Sequence, residues 1–237
     1  MTSAKRKNRH LGILSLDTQF PRILGDVGNP VSYPFETSVK VVCGADATKI
    51  VKDGLPEESL LHAFELAALE LQANGANAIV STCGFLITAQ SRIASKVKIP
   101  VMLSALSMLP TVQAVAATRI GILTASGGAL GSAALVAARI SPEDVVIQGM
   151  ESAPLFANAF LARRDQQVVE FDRTAMERAV VEQAIHLVRA APDVGAILLE
   201  CGNLPPYAEA IKSATGRPVY HLLDAALWMM AASGSTA

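Results

Sequence analysis

Cysteine is scarce in this chain, aromatic residues make up only 5%, and charged residues only 17% of 237 positions. Three cysteines, an odd number in a chain this long, do not form the disulfide framework that small secreted domains depend on. No stretch approaches the ~18–20 uninterrupted apolar residues of a membrane span. The first apolar run, Leu11–Leu16, stops at Asp17, too short for the roughly 7–15 residues of a signal-peptide core. Neither sign of charge dominates, since 20 Lys and Arg oppose 21 Asp and Glu for a net charge of −1. A nucleic-acid binder would carry a basic stripe to meet phosphates. The one basic cluster, Lys5-Arg6-Lys7 with Arg9, reads as a solvated N-terminal arm. These absences predict a soluble, cytoplasmic protein with reduced thiols and with neither a membrane nor a nucleic-acid partner.

What the chain has is apolar residues, 51% of the total, the reverse of the balance that keeps a chain disordered. Eight short β-rich runs recur: Leu11–Leu16, Val39–Cys43, Ala78–Cys83, Val101–Ala105, Ile120–Thr124, Val145–Gln148, Ala196–Cys201 and Val219–Leu223. Helical patterns lie between them, clearest at Glu57–Ala73, with Leu61, Phe64, Ala68 and Leu71 in step, and at Thr174–Arg189, with Ala179, Ile185 and Val188. Strands apolar on both faces and separated by helices predict parallel sheets covered by helices, an α/β fold.

The chain also repeats itself. Cys83-Gly84 and Cys201-Gly202 lie 118 positions apart (201 − 83). The same shift pairs Ala78-Ile79 with Ala196-Ile197, Leu86 with Leu204, and Pro100-Val101 with Pro218-Val219. Leu11-Gly12-Ile13-Leu14 matches Ile120-Gly121-Ile122-Leu123 at an offset of 109, so the second half carries a modest insertion. Two pseudo-symmetric lobes follow, residues 1–117 and 118–237, each a roughly four-stranded parallel sheet flanked by helices, with a junction near Val115–Arg119. Each half ends with Pro, a strand and a helix, so the terminal helices could cross onto the other lobe.

In parallel α/β sheets ligands bind beyond the carboxyl ends of the strands. Those ends are Asp17-Thr18, Ser81-Thr82-Cys83-Gly84, Thr124-Ala125-Ser126-Gly127 and Glu200-Cys201-Gly202-Asn203. Each of the two repeated cysteines precedes a glycine that lets backbone approach a ligand. Each also sits where a helix N-terminus would lower the thiol pKa. Symmetry brings the two thiols to one cleft, the arrangement needed to remove a proton from one face of a carbon and return one to the other. Thr82, Thr124 and Ser126 could hold a carboxylate and stabilise the enolate-like charge that develops. A single cysteine at a strand end is most often a small buried hydrophobe; a matched pair argues against that. Cys43 has no counterpart and reads as core packing. His62 and His186 lie on helical patterns and read as surface or structural, whereas His221, near the exit of the last strand, is a further candidate for the cleft. No Cys or His pair has metal-ligand spacing. The Ser126-Gly127-Gly128 turn lacks the Lys and hydroxyl of a phosphate loop.

These pieces resemble the aspartate/glutamate racemase superfamily, which includes hydantoin racemases, maleate isomerases and arylmalonate decarboxylases. The likeness rests on Ser81–Phe85, Leu199–Asn203, the Gly12–Asp17 strand and Gly121–Ser126, and with the repeat it spans essentially the whole chain. It implies two lobes around an active-site cleft, Cys83 and Cys201 as acid/base groups, and no cofactor or metal. It further implies that Asp17, Thr82, Gly84, Thr124, Ser126, Gly202 and Asn203 bind a small carboxylate-bearing substrate. Glutamate racemases close strand one with Asp-Ser, where this chain has Asp17-Thr18. They follow the second cysteine with Thr-His, where this chain has Gly202-Asn203. The Phe20–Pro34 segment lies outside the racemase pattern and reads as a substrate loop. The resulting expectation is a racemase or epimerase acting on an amino acid or hydantoin-like compound. The alternatives are a maleate-type cis–trans isomerase with one nucleophilic cysteine and a two-lobed binding protein without catalysis. The apolar content predicts a homo-oligomer.

Overall fold

Among the described residues eight strands form two sheets, and every pairing between them is parallel. The computed structural model describes residues 9–233, so the Lys5–Lys7 cluster lies outside the described residues. The first sheet holds β1 (His10–Leu16), β2 (Glu36–Val42), β3 (Ala78–Ser81) and β4 (Val101–Met102). The second holds β5 (Arg119–Thr124), β6 (Val145–Gly149), β7 (Val194–Leu199) and β8 (Val219–His221). Their orders, β2-β1-β3-β4 and β6-β5-β7-β8, are the same, and each predicted run supplies one strand.

The sequence repeat is a repeat of hydrogen bonds. Gly12 registers with Ile79 in one sheet and Gly121 with Ile197 in the other. The Ile79 and Ile197 N–H groups donate to the carbonyls of Pro100 and Pro218, each at 2.9 Å. Gly12 and Gly121 match because a helix presses on both: a Cβ there would lie 3.1 Å from Leu71 and 2.6 Å from Leu187 respectively.

The helix Glu58–Ala73 covers the first sheet, burying Leu60, Leu61, Phe64, Ala68 and Leu71. Side chains such as Leu61 and Phe64 each contribute about 1.5–3 kcal/mol when removed from water. The helix Arg173–Ala190 covers the second, with Asp172 accepting the Thr174 and Ala175 N–H groups at its start. Its buried stripe is Met176, Val180, Ala184 and Leu187. The expected Ala179, Ile185 and Val188 flank that stripe, because a helix embedded along a sheet buries a wide face and periodicity alone does not locate its centre.

The halves are interlocked. The helix Leu109–Ala116 packs on β5 and β7, and the helix Leu222–Ala232 packs on β3, so each half's last helix lies against the other sheet. Asp53 from the first half also accepts the N–H groups of Ala133 and Ala134, at 3.3 and 3.2 Å, at the start of the helix Ser132–Ala138. A carboxylate is favourable there because the first N–H groups of a helix have no internal partner.

Cys43 is exposed, not core. It follows β2, an edge strand, whose Val39 and Val41 are also exposed, so an apolar run here marks an open sheet face. Among the described residues, no helix is long and apolar enough to cross a membrane.

Candidate active site

Past the ends of β3 and β7, the chain runs through Thr82-Cys83-Gly84 and Glu200-Cys201-Gly202, and both cysteines line one cleft. Both are free thiols, each 7% exposed. The turns fit together through their glycines. A Cβ on Gly84 would collide with Glu200, and one on Gly202 would lie 2.5 Å from the Thr82 carbonyl oxygen. Residues 82 and 200 correspond in the repeat, as do 84 and 202. Each glycine therefore makes room for the residue preceding the opposite cysteine, and the two contacts are pseudo-symmetric copies.

The residue before each cysteine also reaches the end of its neighbouring strand. Thr82 Oγ1 accepts the Leu16 N–H at 3.0 Å. On the other side Glu200 Oε2 accepts the Thr124 hydroxyl at 2.8 Å, and the Ala125 N–H also bonds this carboxyl. Leu16 and Ala125 are equivalent positions, so a carboxyl stands in the second half where the first has a hydroxyl. Glu200 is 1% exposed, and its Oε1 is buried without a hydrogen-bond partner among the described residues. Burial pushes its pKa up to about 7, against the opposing effect of Thr124 and Ala125.

The thiols are not the thiolates that helix N-termini would favour. Burial, then the nearby Glu200 charge, push Cys83 up to about 12 and Cys201 well above the ordinary thiol range. The reason is local. Cys83 leads only into the 3-10 turn Gly84–Ala89, and Cys201 into a bend before the short turn Pro205–Tyr207. One N–H bond to each sulfur, from Phe85 and Asn203, does not offset desolvation. The two also differ. Arg22 favours the Cys83 thiolate, whereas Asp26 and Cys83 itself oppose that of Cys201. The Cys201 thiol donates to Asn203 Oδ1 at 3.5 Å.

The remaining expected site residues divide. Thr82, Gly84 and Asn203 line the cleft, although the Asn203 amide donates to Asp26 at 2.7 Å and so ties the cleft to the loop. Gly202 contributes its carbonyl to the Val27 N–H at 3.0 Å. Thr124 is fully buried and serves Glu200. Asp17 and Ser126 are not in the cleft wall. Asp17 pairs with Arg164 at 2.6 Å and accepts the Gly44 N–H. The turn around Ser126 is occupied by the chain's own anion, since the Gly127 and Gly128 N–H groups both donate to Glu151 at 3.0 Å and Ser126 approaches it at 3.4 Å. His221 is likewise outside the cleft wall, leading into the last helix with its backbone N–H on Asp224. His62 lies beside Glu65 at 3.4 Å and His186 beside Gln148 at 3.0 Å, and neither lines the cleft.

The expected substrate loop does reach the site. Phe20 and Arg22 line the cleft. Arg22 donates to Asp26 at 2.9 Å and to Thr18 at 3.1 Å, with its guanidinium 5.0 Å from the Phe20 ring centre. Phe160 meets Phe20 edge-on, ring centres 4.8 Å apart, and completes an apolar wall with Leu161. Sequence reasoning missed Phe160 because it lies between β6 and the helix Arg173–Ala190, in the longer connection that makes up the second half's insertion, where no repeat partner points to it. The cleft spans about 400 Å³ including its mouth, but only about 20 Å³ can take the centre of a water molecule. One water needs about 10–15 Å³ by that measure, so the free cleft has room for hardly more than one water molecule. Among the described residues, no group of three or more His, Cys, Asp or Glu is arranged to hold a metal ion.

Comparison with known proteins gives three results. Residues 37–230 match the family model described as Asp/Glu/Hydantoin racemase. The chain is 30% identical over 229 residues to dimethylsulfoniopropionate lyase 7 of Emiliania huxleyi (strain CCMP1516), covering 94% of this chain and 66% of that protein. It spans 59–66% of the length of the first three lyases of that organism that it matches. Among solved structures, allantoin racemase from Klebsiella pneumoniae superimposes with a TM-score of 0.63 at 16% identity, over 97% of this chain and 90% of that one. A mutant of arylmalonate decarboxylase in a sulfate-associated form gives 0.61 at 17% identity, over 96% and 94%.

Proposed function

Because this chain belongs to the Asp/Glu/hydantoin racemase family, we propose that it is an enzyme that uses its cleft thiols to take a proton from the carbon next to a small substrate's carboxylate. The observation that carries this reading is the reciprocal packing of the two cysteine turns, Gly84 on Glu200 and Gly202 on Thr82, with both thiols in one cleft. Two such groups lining one small space can supply a base for the α-proton and a donor for the charge that develops when it leaves.

Within that class, β-elimination is favoured over racemisation, and dimethylsulfoniopropionate is the first substrate to try. Two things support this. The relatives at 30% identity over more than nine-tenths of the chain are named for that lyase activity, and the site is chemically one-sided. Racemisation asks the two faces of a carbon to be served alike, whereas Glu200 and Thr82 make the surroundings of the two thiols unlike. In this scheme Cys83, the thiol favoured by Arg22, is the base. Arg22, the one cation in the cleft wall among the described residues, holds the carboxylate, and a ring face of the Phe20–Phe160 wall receives the sulfonium group. Cys201 stays protonated and donates to the developing enolate-like charge.

Racemisation by both cysteines is the second reading, and the equivalence of Cys83 and Cys201 in the repeat favours it. One experiment separates the two. The protein is incubated with dimethylsulfoniopropionate, and separately in D₂O with chiral amino acids and hydantoins. The lyase reading expects dimethyl sulfide and acrylate in equal amounts and no interconversion of enantiomers. Racemisation of any of the acids, without elimination, would replace it with the second reading. Neither product nor proton exchange would overturn both.

A further inference from the structure

The lyase reaction has a proton to dispose of that racemisation does not. Racemisation returns a proton to the carbon it left. Elimination of a neutral sulfide from a zwitterion leaves an alkene carboxylate and one proton over, and that proton must reach water from a cleft that admits hardly more than one water molecule. Resting on the lyase reading, we propose that Glu200 is the exit for that proton, receiving it by way of the Cys83 thiol.

The geometry singles Glu200 out. Among the described residues it is the only carboxyl in the cleft wall. Its Oε2 is anchored by Thr124, while its Oε1 is buried, unpartnered among the described residues and packed over Gly84, the residue bonded to Cys83. The absence of a Cβ at Gly84 is what leaves room for that oxygen. In the other half the equivalent position is Thr82, whose hydroxyl is committed to the Leu16 N–H and does not ionise. A buried oxygen with no partner is costly and is retained where something else uses it.

The Glu200 carboxylate takes the proton of the Cys83 thiol by way of one water, since Oε1 makes no direct hydrogen bond to the sulfur, giving a carboxylic acid and a thiolate. The thiolate takes the α-proton of the substrate, and the C–H electron pair becomes the new Cα–Cβ double bond. The β-carbon–sulfur pair leaves on sulfur as neutral dimethyl sulfide. Cys83 is again a thiol, and Glu200 gives its proton to water. In the free site the first transfer runs uphill, since burial holds Cys83 up to about 12 while Glu200 is near 7. Neutralising Glu200 removes the charge that opposes the thiolate, and Arg22 favours the thiolate. A bound sulfonium adds a second positive charge. The titratable groups that meet Glu200 are Cys83 from the end of β3 and Cys201 beside it; Arg22, from the loop between β1 and β2, acts on Cys83, and Asp26 of the same loop acts on Cys201. Glu200 acts through Cys83 and is thus a positioning and proton-accepting residue, so its test needs a pH profile.

The test measures kcat/KM for dimethylsulfoniopropionate between pH 5 and 9 in the wild type, Glu200→Gln and Thr124→Val. The expected wild-type profile has an acid limb near pH 7. Glu200→Gln loses that limb and falls roughly 10²-fold on the plateau, within the usual span of acid/base groups. Thr124→Val, which removes a hydrogen bond that lowers the Glu200 pKa, moves the limb to higher pH. If Glu200→Gln keeps the limb, or Thr124→Val leaves it in place, the proposal is overturned. A substrate-free readout accompanies this: difference infrared spectroscopy of the protonated carboxyl band, with and without propionate as the probe. The band should titrate near pH 7 in the wild type, be absent in Glu200→Gln, and shift its midpoint upward when propionate binds. A wild-type protein that releases no dimethyl sulfide overturns the lyase reading and the exit role with it. A carboxyl that ignores pH and propionate overturns the assignment of Glu200 alone.

Discussion

The first half and the second half run the same four-strand order and close on the same Cys-Gly turn. Yet the residue before the cysteine is Thr82 in one and Glu200 in the other. The backbone duties of the two are alike, since each holds an N–H at the end of the neighbouring first strand. Their proton chemistry is not. A hydroxyl is inert across the physiological range, whereas a buried carboxyl near 7 changes charge within it. The flanking groups widen the difference, with Arg22 acting on Cys83 and Asp26 on Cys201. Duplication fixes where backbone and small residues go, while one side chain at an equivalent position decides whether two thiols act alike.

The largest effect that would sharpen this comparison is on turnover. Cys83→Ser should lower elimination by roughly 10³-fold or more, because a serine hydroxyl is too weak an acid to supply the base. Cys201→Ser should cost only about 10–100-fold, since a hydroxyl still donates a hydrogen bond. Equal losses in steady-state assays on dimethylsulfoniopropionate would break the comparison and favour the two-base racemase.

The next effect is on stability. A buried acid whose folded pKa is raised stabilises the fold while protonated, fully so below its ordinary value of 4.5, and that contribution fades as pH rises through about 7. The size is about 3 kcal/mol, from about 1.4 kcal/mol per unit. Urea titrations at pH 5 and pH 8 should show the loss in the wild type and a much smaller one in Glu200→Gln. A wild-type stability that does not fall between these pH values would contradict the buried carboxyl.

Smaller still is the effect of filling the two glycine contacts. Gly202→Ala should cost about 1–3 kcal/mol, because the Thr82 carbonyl that its Cβ meets is backbone and cannot swing away. Gly84→Ala should cost a similar amount and also disturb Glu200. Melting temperatures read this directly, at roughly 2–4 °C per kcal/mol for a chain of this size. Last, Cys43→Ser should change stability by no more than about 0.5 kcal/mol and leave turnover intact, as Cys43 is exposed and away from the cleft.

The strands and their parallel pairing were legible because runs such as Ala78–Ser81 and Val194–Leu199 are apolar throughout and recur at a fixed spacing. Cys83 and Cys201 were legible for the same reason. Cys43 was misread because composition does not distinguish an edge strand from a central one. The lowered thiol pKa was misread because the helices expected after each cysteine begin as 3-10 turns, and because the burial that opposes ionisation depends on the other lobe. Ser126 was drawn into the site by its place at a strand end. Nothing local reveals that Glu151, 25 positions on, fills that turn. Arg22 and Phe160 come from segments without repeat partners, and only the fold brings them to the thiols.

The most direct test of unequal thiols in equal frames needs no substrate. Both cysteines are 7% exposed, so access is matched and alkylation rates report ionisation. Wild-type protein is treated with limiting iodoacetamide at a series of pH values up to about 10, and the labelled peptides are quantified by mass spectrometry. Cys83 should react faster than Cys201 at every pH, with both still rising at the highest one. Equal rates, or rates that level off at neutral pH, would contradict the account.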